Sequence, residues 1–243
     1  MNPHSLVYAI GAILLGVVGI FFADFAMQWQ PVPAGIGMRT QLAYFAGALL
    51  ALGGVLLLVP KLERAGAWLL TVFIGLWMLV LNLPGAIASA SHIGAWNSPA
   101  EIGFMASGAL ALAASGLTSA ARPKLLLTAR LLAGASAIVF GFAHFNYIDF
   151  TASMVPGWIP YKTFWAWATG VGHLAAGLAL VSGIGARLGV TCEAAMMGSF
   201  AVLLHLPRVI GAPDQHVEWI MLGVSSMLAG SALLVRKYAT IGA

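Results

Sequence analysis

Charge is what this sequence has least of. Only 7% of its 243 residues are Asp, Glu, Lys or Arg, against 61% hydrophobic, whereas soluble domains carry about 25% charged residues. An ordinary soluble domain is thereby excluded. Cysteine is the second shortage: Cys192 stands alone, so the chain can close no intramolecular disulfide and carries no dithiol couple of its own. A membrane dithiol oxidoreductase falls with it. No HExxH or comparable metal spacing occurs, and no metal site is read from the sequence. The leading MNPHSL has no basic residue before the first apolar run and no small-residue cleavage site after it. The expectation is a retained first helix and no signal peptide.

What the sequence does have is long apolar runs. Stretches of about 18 residues or more read as spans, and they fall at 6–27, 41–59, 65–82, 100–118, 126–147, 164–183, 187–206 and 215–235. The expected fold class is an all-α membrane protein with eight transmembrane helices. These helices use up most of the chain, so any chemistry sits inside the bundle or comes from a partner.

The chain also repeats itself. Val32, Pro33, Thr40, Ala43, Gly47, Gly54, Arg64 and Gly66 have the same residue types 123 positions on, at Val155, Pro156, Thr163, Ala166, Gly170, Gly177, Arg187 and Gly189. The same offset carries Leu83-Pro84 onto Leu206-Pro207 and Trp96 onto Trp219. The expected organisation is a first four-helix repeat over 1–118, a cytoplasmic linker over 119–130 and a second four-helix repeat over 131–243. An even number of spans per copy makes the repeats parallel, unlike the inverted repeats of many transporters. Small residues spaced by four and seven give each copy one close-packing face. Proline cannot continue a helix, so the third and seventh helices are expected to stop at Leu-Pro.

Lys61, Arg64, Arg122, Lys124, Arg130, Arg187, Arg236 and Lys237 fall on the side of both termini, and Arg39, Lys162 and Arg208 on the other. The positive-inside rule then makes the termini cytoplasmic. The net charge of +4 reads as a topology signal and gives no reason to expect nucleic acid.

The two copies differ in polarity. At the 123-residue offset His144 replaces Phe21, Asp149 replaces Ala26, His173 replaces Leu50, Glu193 replaces Leu70, His205 replaces Asn82 and Arg208 replaces Gly85. Positions that serve only the scaffold should look alike, so the candidate ligand contacts are His144, His173, His205 and Asp149. His173 lies about ten residues into its helix, roughly 15 Å deep at about 1.5 Å per residue, and its place between Gly170 and Gly177 faces it into the packing seam. A polar group at that depth needs a partner. His144 and His205, near the outer ends of their helices, could ligate a haem or bond a quinone carbonyl, or be interfacial histidines that bind nothing. Glu193 is expected to pair with Arg187 or to face an inner vestibule, and Glu101 to cap a helix start. Trp158, Tyr161, Phe164, Trp165 and Trp167 read as an interfacial belt, with Trp158 a candidate wall of a site for a flat ligand.

One stretch carries a resemblance. HFNYIDFTASMVPGWIPYKTFWAWATGVGHLAAGLALVSGIGARLGV has the HF pair His144-Phe145, the lead-in Val155, Pro156, Trp158 and Pro160, then Gly170-Val171, Gly177-Leu178, Leu180 and Arg187. It resembles the DoxX-like family of bacterial integral membrane proteins, whose unit is four helices. The match is clear over one copy and weak over the other. Where family members tend to have a glutamate after Gly-Val this chain has His173, and where they tend to have an asparagine after a helix-ending proline motif it has His205, before Pro207. The resemblance implies a bacterial inner-membrane protein tied to quinone chemistry, as in the small membrane subunit of thiosulfate:quinone oxidoreductase. It also implies a redox protein partner beside the lipid bilayer. If the chain is an enzyme at all, it is as a membrane subunit of a quinone-linked oxidoreductase. Two other readings stand beside it: a small-molecule carrier with His173 and Glu193 as a relay, and a purely structural membrane protein.

Overall fold

A computed structural model describes residues 3–240; residues 1, 2 and 241–243, at the outer bounds of the two expected repeats, lie outside the described residues. The chain is 79% helix with no strand among the described residues. Among the described residues nine helices follow one another: α1 (Pro3–Phe21), α2 (Arg39–Leu58), α3 (Glu63–Ala88), α4 (Gly94–Ser115), α5 (Ala121–Asn146), the short α6 (Ile148–Met154), α7 (Lys162–Ser182), α8 (Ala186–Gly211) and α9 (His216–Arg236). Seven of these, α1, α2, α3, α5, α7, α8 and α9, are long and apolar enough to cross a membrane.

The remaining long helix, α4, has the length of a span at 22 residues, but not the apolarity. It carries Asn97, Ser98 and Glu101 in its first half and mostly Ala, Gly and Ser thereafter. It is instead an enclosed helix: between Pro99 and Ala114 every residue except Glu101 and Leu110 is buried. A helix that touches protein on all sides gains more from small side chains, which let neighbours approach, than from lipid-facing bulk. Tyr8 of α1 and Ser231 of α9 both hydrogen-bond to Met105 O on α4, at 2.9 and 3.3 Å.

The helices form a closed circuit that includes α4 and α9. Each packs on the next in the order α1, α2, α3, α4, α5, α7, α8, α9, and α9 returns to α1, while α4 and α9 meet across the middle. The small-residue faces act where the sequence placed them. A Cβ on Gly54 would sit 2.8 Å from Ala9 O of α1, and one on Gly177 would sit 2.7 Å from Gly134 O of α5. The α1–α2 and α5–α7 pairs are therefore in backbone contact.

Two expectations change. Helices α3 and α8 do not stop at Leu-Pro; each widens into a π-helical turn, Trp77–Asn82 and Phe200–His205, and continues through the proline to Ala88 and Gly211. A proline ring crowds the carbonyl four residues back, and a wider turn just before it moves that carbonyl aside. The segment read as a linker over 119–130 is also largely helix, because α5 begins at Ala121 with Pro123 in its first turn, where no N–H partner is needed. Arg130 in it is buried and donates to Ala239 O at 3.3 Å.

Helix bounds on the two sides of the chain fall at the sequence offset. Arg39 and Lys162 start α2 and α7, each after a left-handed residue, Met38 at φ 56° and Tyr161 at φ 57°. The π turns begin at Trp77 and Phe200. Trp96 Nε1 donates to Ala90 O at 3.2 Å, and Trp219 Nε1 to Pro213 O at 2.8 Å.

Candidate functional site

The π turn of α8 and the seam face of α7 border one cavity of about 910 Å³. Such a volume lies within the range of small-molecule sites, about 300–1,000 Å³. His144 from α5, His173 from α7 and His205 from α8 all line it. Its walls are otherwise mainly apolar, with Phe140, Met196, Phe200 and Leu228 among them. Trp158 and Tyr161 stand at its exposed end, 68% and 81% accessible. Phe164 and Trp165 line the cavity as well, whereas Trp167 stacks on Phe145 at 5.1 Å. Asp149, grouped with the histidines from the sequence, lies exposed on α6 and takes no part in the lining.

His173 is 1% exposed, and its partner is Glu193 of α8, 0% exposed. The two meet at 2.9 Å between Nδ1 and Oε1. Glu193 does not pair with Arg187 or face an inner vestibule. Six residues at about 100° each put Arg187 on a different face of α8, and its side chain is exposed. Glu193 Oε2 is buried without a hydrogen-bond partner. The hydrogen bond between them is what lets two polar groups be buried together here.

His144 turns its Nδ1 back on its own helix, 2.8 Å from Phe140 O. A carbonyl only accepts, so Nδ1 bears the proton there. The His144 and His173 rings lie 4.8 Å apart between centroids at 55°. His205 ends the π turn, is 4% exposed and makes no hydrogen bond with any described residue; its Nδ1 is buried without a partner. Among the described residues no three of His, Cys, Asp and Glu gather as a metal-holding group.

Sequence reasoning missed one functional group on this cavity. Glu101 is no cap: α4 starts at Gly94, Pro99 lies inside the helix, and Glu101 sits two turns in on the cavity wall. The signal was present in Trp96, whose counterpart Trp219 is the fourth residue of α9. Matching helix starts through that pair puts the beginning of α4 well before Pro99.

Compared with protein-family models, curated proteins and solved structures, the chain matches none of them. The geometry therefore defines a class by itself. Among the described residues this is an all-helical chain with seven helices long and apolar enough to cross a membrane, holding a mainly apolar cavity with His173 on its wall and Glu193 buried behind it.

Proposed function

We propose that the chain is a DoxX-like multi-pass protein of the bacterial inner membrane whose cavity binds a quinone-type ligand as the membrane subunit of a redox system. The observation that carries this reading is the convergence of His144, His173 and His205 on one cavity of about 910 Å³ with mainly apolar walls and an aromatic mouth. A quinone needs a flat apolar slot and a few hydrogen-bonding groups at its carbonyls, and this cavity has both. Conversion to the quinol takes two electrons and two protons. A partner redox protein supplies the two electrons and water at the open end of the cavity the two protons, with His173 on the cavity wall and Glu193 behind it. Haem fits the His144–His173 pair poorly, because rings 4.8 Å apart leave no room for a porphyrin plane between them.

The same proposal includes two parallel four-helix repeats, eight passages counting the buried α4, and cytoplasmic termini. It is supported by the coincidence of helix bounds at the 123-residue offset and by the bias of Lys and Arg to the side of the termini. The buried acid–base pair also favours a second reading, a proton-coupled carrier.

Organic extraction of the purified protein with mass spectrometry, before and after His173→Leu, separates the two. Co-purified quinone in the wild type, reduced at least several-fold in the variant, is the expected result. Only phospholipid in the wild type, together with flux of a solute in liposomes lacking any partner, would establish the carrier instead.

A further inference from the structure

The first half of the chain shows what belongs in the cavity of the second. Asn82 ends the π turn of α3 as His205 ends that of α8, 123 residues on. Both side chains are buried, at 5% and 4% exposure. Asn82 is fully engaged: its Nδ2 donates at 3.0 Å to the main-chain carbonyl of Trp29 and to that of Trp77, and its Oδ1 accepts from Ser98 Oγ at 2.6 Å. The Trp29 indole, 1% exposed, packs edge-on against Trp77 at 6.2 Å. Here the segment between α1 and α2 folds inward and fills the space with an aromatic ring and a carbonyl.

In the second half none of these bonds is kept and the side chains around the site change. Ala152 stands at the offset position of Trp29, and Met221 at that of Ser98. Helix α6 has no buried residue, so the segment stays outside. Phe200, at the offset position of Trp77, lines the cavity, as does Met221. His205 retains a donor but meets none of the groups that satisfy Asn82.

We infer that His205 donates a hydrogen bond to a carbonyl oxygen of the ligand, at the position that the Trp29 carbonyl holds against Asn82, with the ligand ring packed edge-on against Phe200 as Trp29 is against Trp77. This rests on the quinone-site reading and deepens it. The ligand class it specifies is a flat ring of about indole size bearing a carbonyl. A saturated acyl chain has no acceptor to offer at that depth. The His205 ring makes no hydrogen bond with a described residue, and one bond to a ligand offsets part of the cost of that burial.

The test uses the full chain in nanodiscs with two probes, menadione and decylubiquinone. Binding is followed by tryptophan quenching and by the infrared carbonyl stretch of the bound probe. The wild type should bind at least one probe with its carbonyl stretch lowered. His205→Leu should weaken binding about tenfold, the size of one hydrogen bond, and return the stretch to its unbound position. His205→Asn, the residue of the first half, should hold affinity within about threefold. Should the leucine variant not fold, His205→Met, of similar volume, takes its place. Equal affinity and an unmoved stretch in the apolar variant would overturn the inference and leave the cavity reading standing. Loss of binding in a folded His205→Asn variant would overturn the correspondence with Asn82. No binding of either probe by the wild type would overturn the quinone reading and this inference together.

Discussion

Two leucines in the first half of the chain occupy the offset positions of an acid–base pair in the second. Leu50 and Leu70 are 2% and 0% exposed within the main core, and His173 and Glu193 are 1% and 0% exposed and joined at 2.9 Å. Burial is the same and chemistry is not. Apolar replacements for a buried ion pair are often neutral or stabilising, so the leucines show that this architecture closes without the pair. Stability therefore gives no account of why the second half has it.

The outer segments differ in the same sense. Residues 22–38 turn inward and bury Phe25, Trp29 and Gln30, with Phe25, Trp29 and Phe73 all packed around Trp77. The matching 145–161 segment lies outside as α6 and an aromatic rim. One half spends its aromatics on a plug, and the other exposes them around an opening.

Substitutions can break this comparison, and the largest effect is expected at the pair. Glu193→Leu alone should destabilise the protein by about 3–5 kcal/mol, because it strands His173 in an apolar seam. Adding His173→Leu, which reproduces the Leu50 and Leu70 arrangement, should return stability to within about 1 kcal/mol of the wild type. Denaturant unfolding of the four proteins of this double-mutant cycle measures it, and a double variant as unstable as the single one would show that the halves are not interchangeable in their cores.

Opening the plug comes next. Trp29→Ala should cost about 3 kcal/mol through lost burial and a residual cavity. It should also give the first half a space of its own that takes up a small aromatic probe, read as a second equivalent bound per chain. An unchanged stoichiometry would mean that the first half collapses around the loss.

The smallest effect concerns the ion pairs at the outer ends. Asp24–Arg39 at 2.7 Å ties the inward segment to α2, and Arg208–Glu218 at 2.8 Å ties the end of α8 to the start of α9. Each has one side chain more than a third exposed. Arg39→Ala and Arg208→Ala should each cost less than about 1 kcal/mol, and less still at high salt. Thermal unfolding at two ionic strengths checks both.

Much of the fold was legible in the sequence, and the reasons are local. Apolar run length marks a span whatever it packs against, and the glycine spacing of α2 and α7 marks their close faces. What misled was proline. Pro84 and Pro207 looked like helix ends because a regular α-helix cannot pass them, and the π turns that let α3 and α8 through carry no comparable sequence mark. The span expected from residue 100 missed the first six residues of α4 and with them the place of Glu101. The partner of His173 was required but joined to Glu193 only in the carrier reading, because Arg187 is near Glu193 in sequence and His173 is near it only in space.

By itself the sequence determined that the chain is helical and apolar enough to cross a membrane, that its two halves share a pattern, and that ionisable side chains gather in the second. Those are one-dimensional properties, set by run length, offset and composition. Only the tertiary structure decided that His144, His173 and His205 share one cavity while Asp149 stands apart, that Glu193 answers His173, and that Trp29 fills in one half what the other leaves open. Each depends on which faces of distant helices turn toward one another, and that is set by packing around the buried α4, not by spacing along the chain.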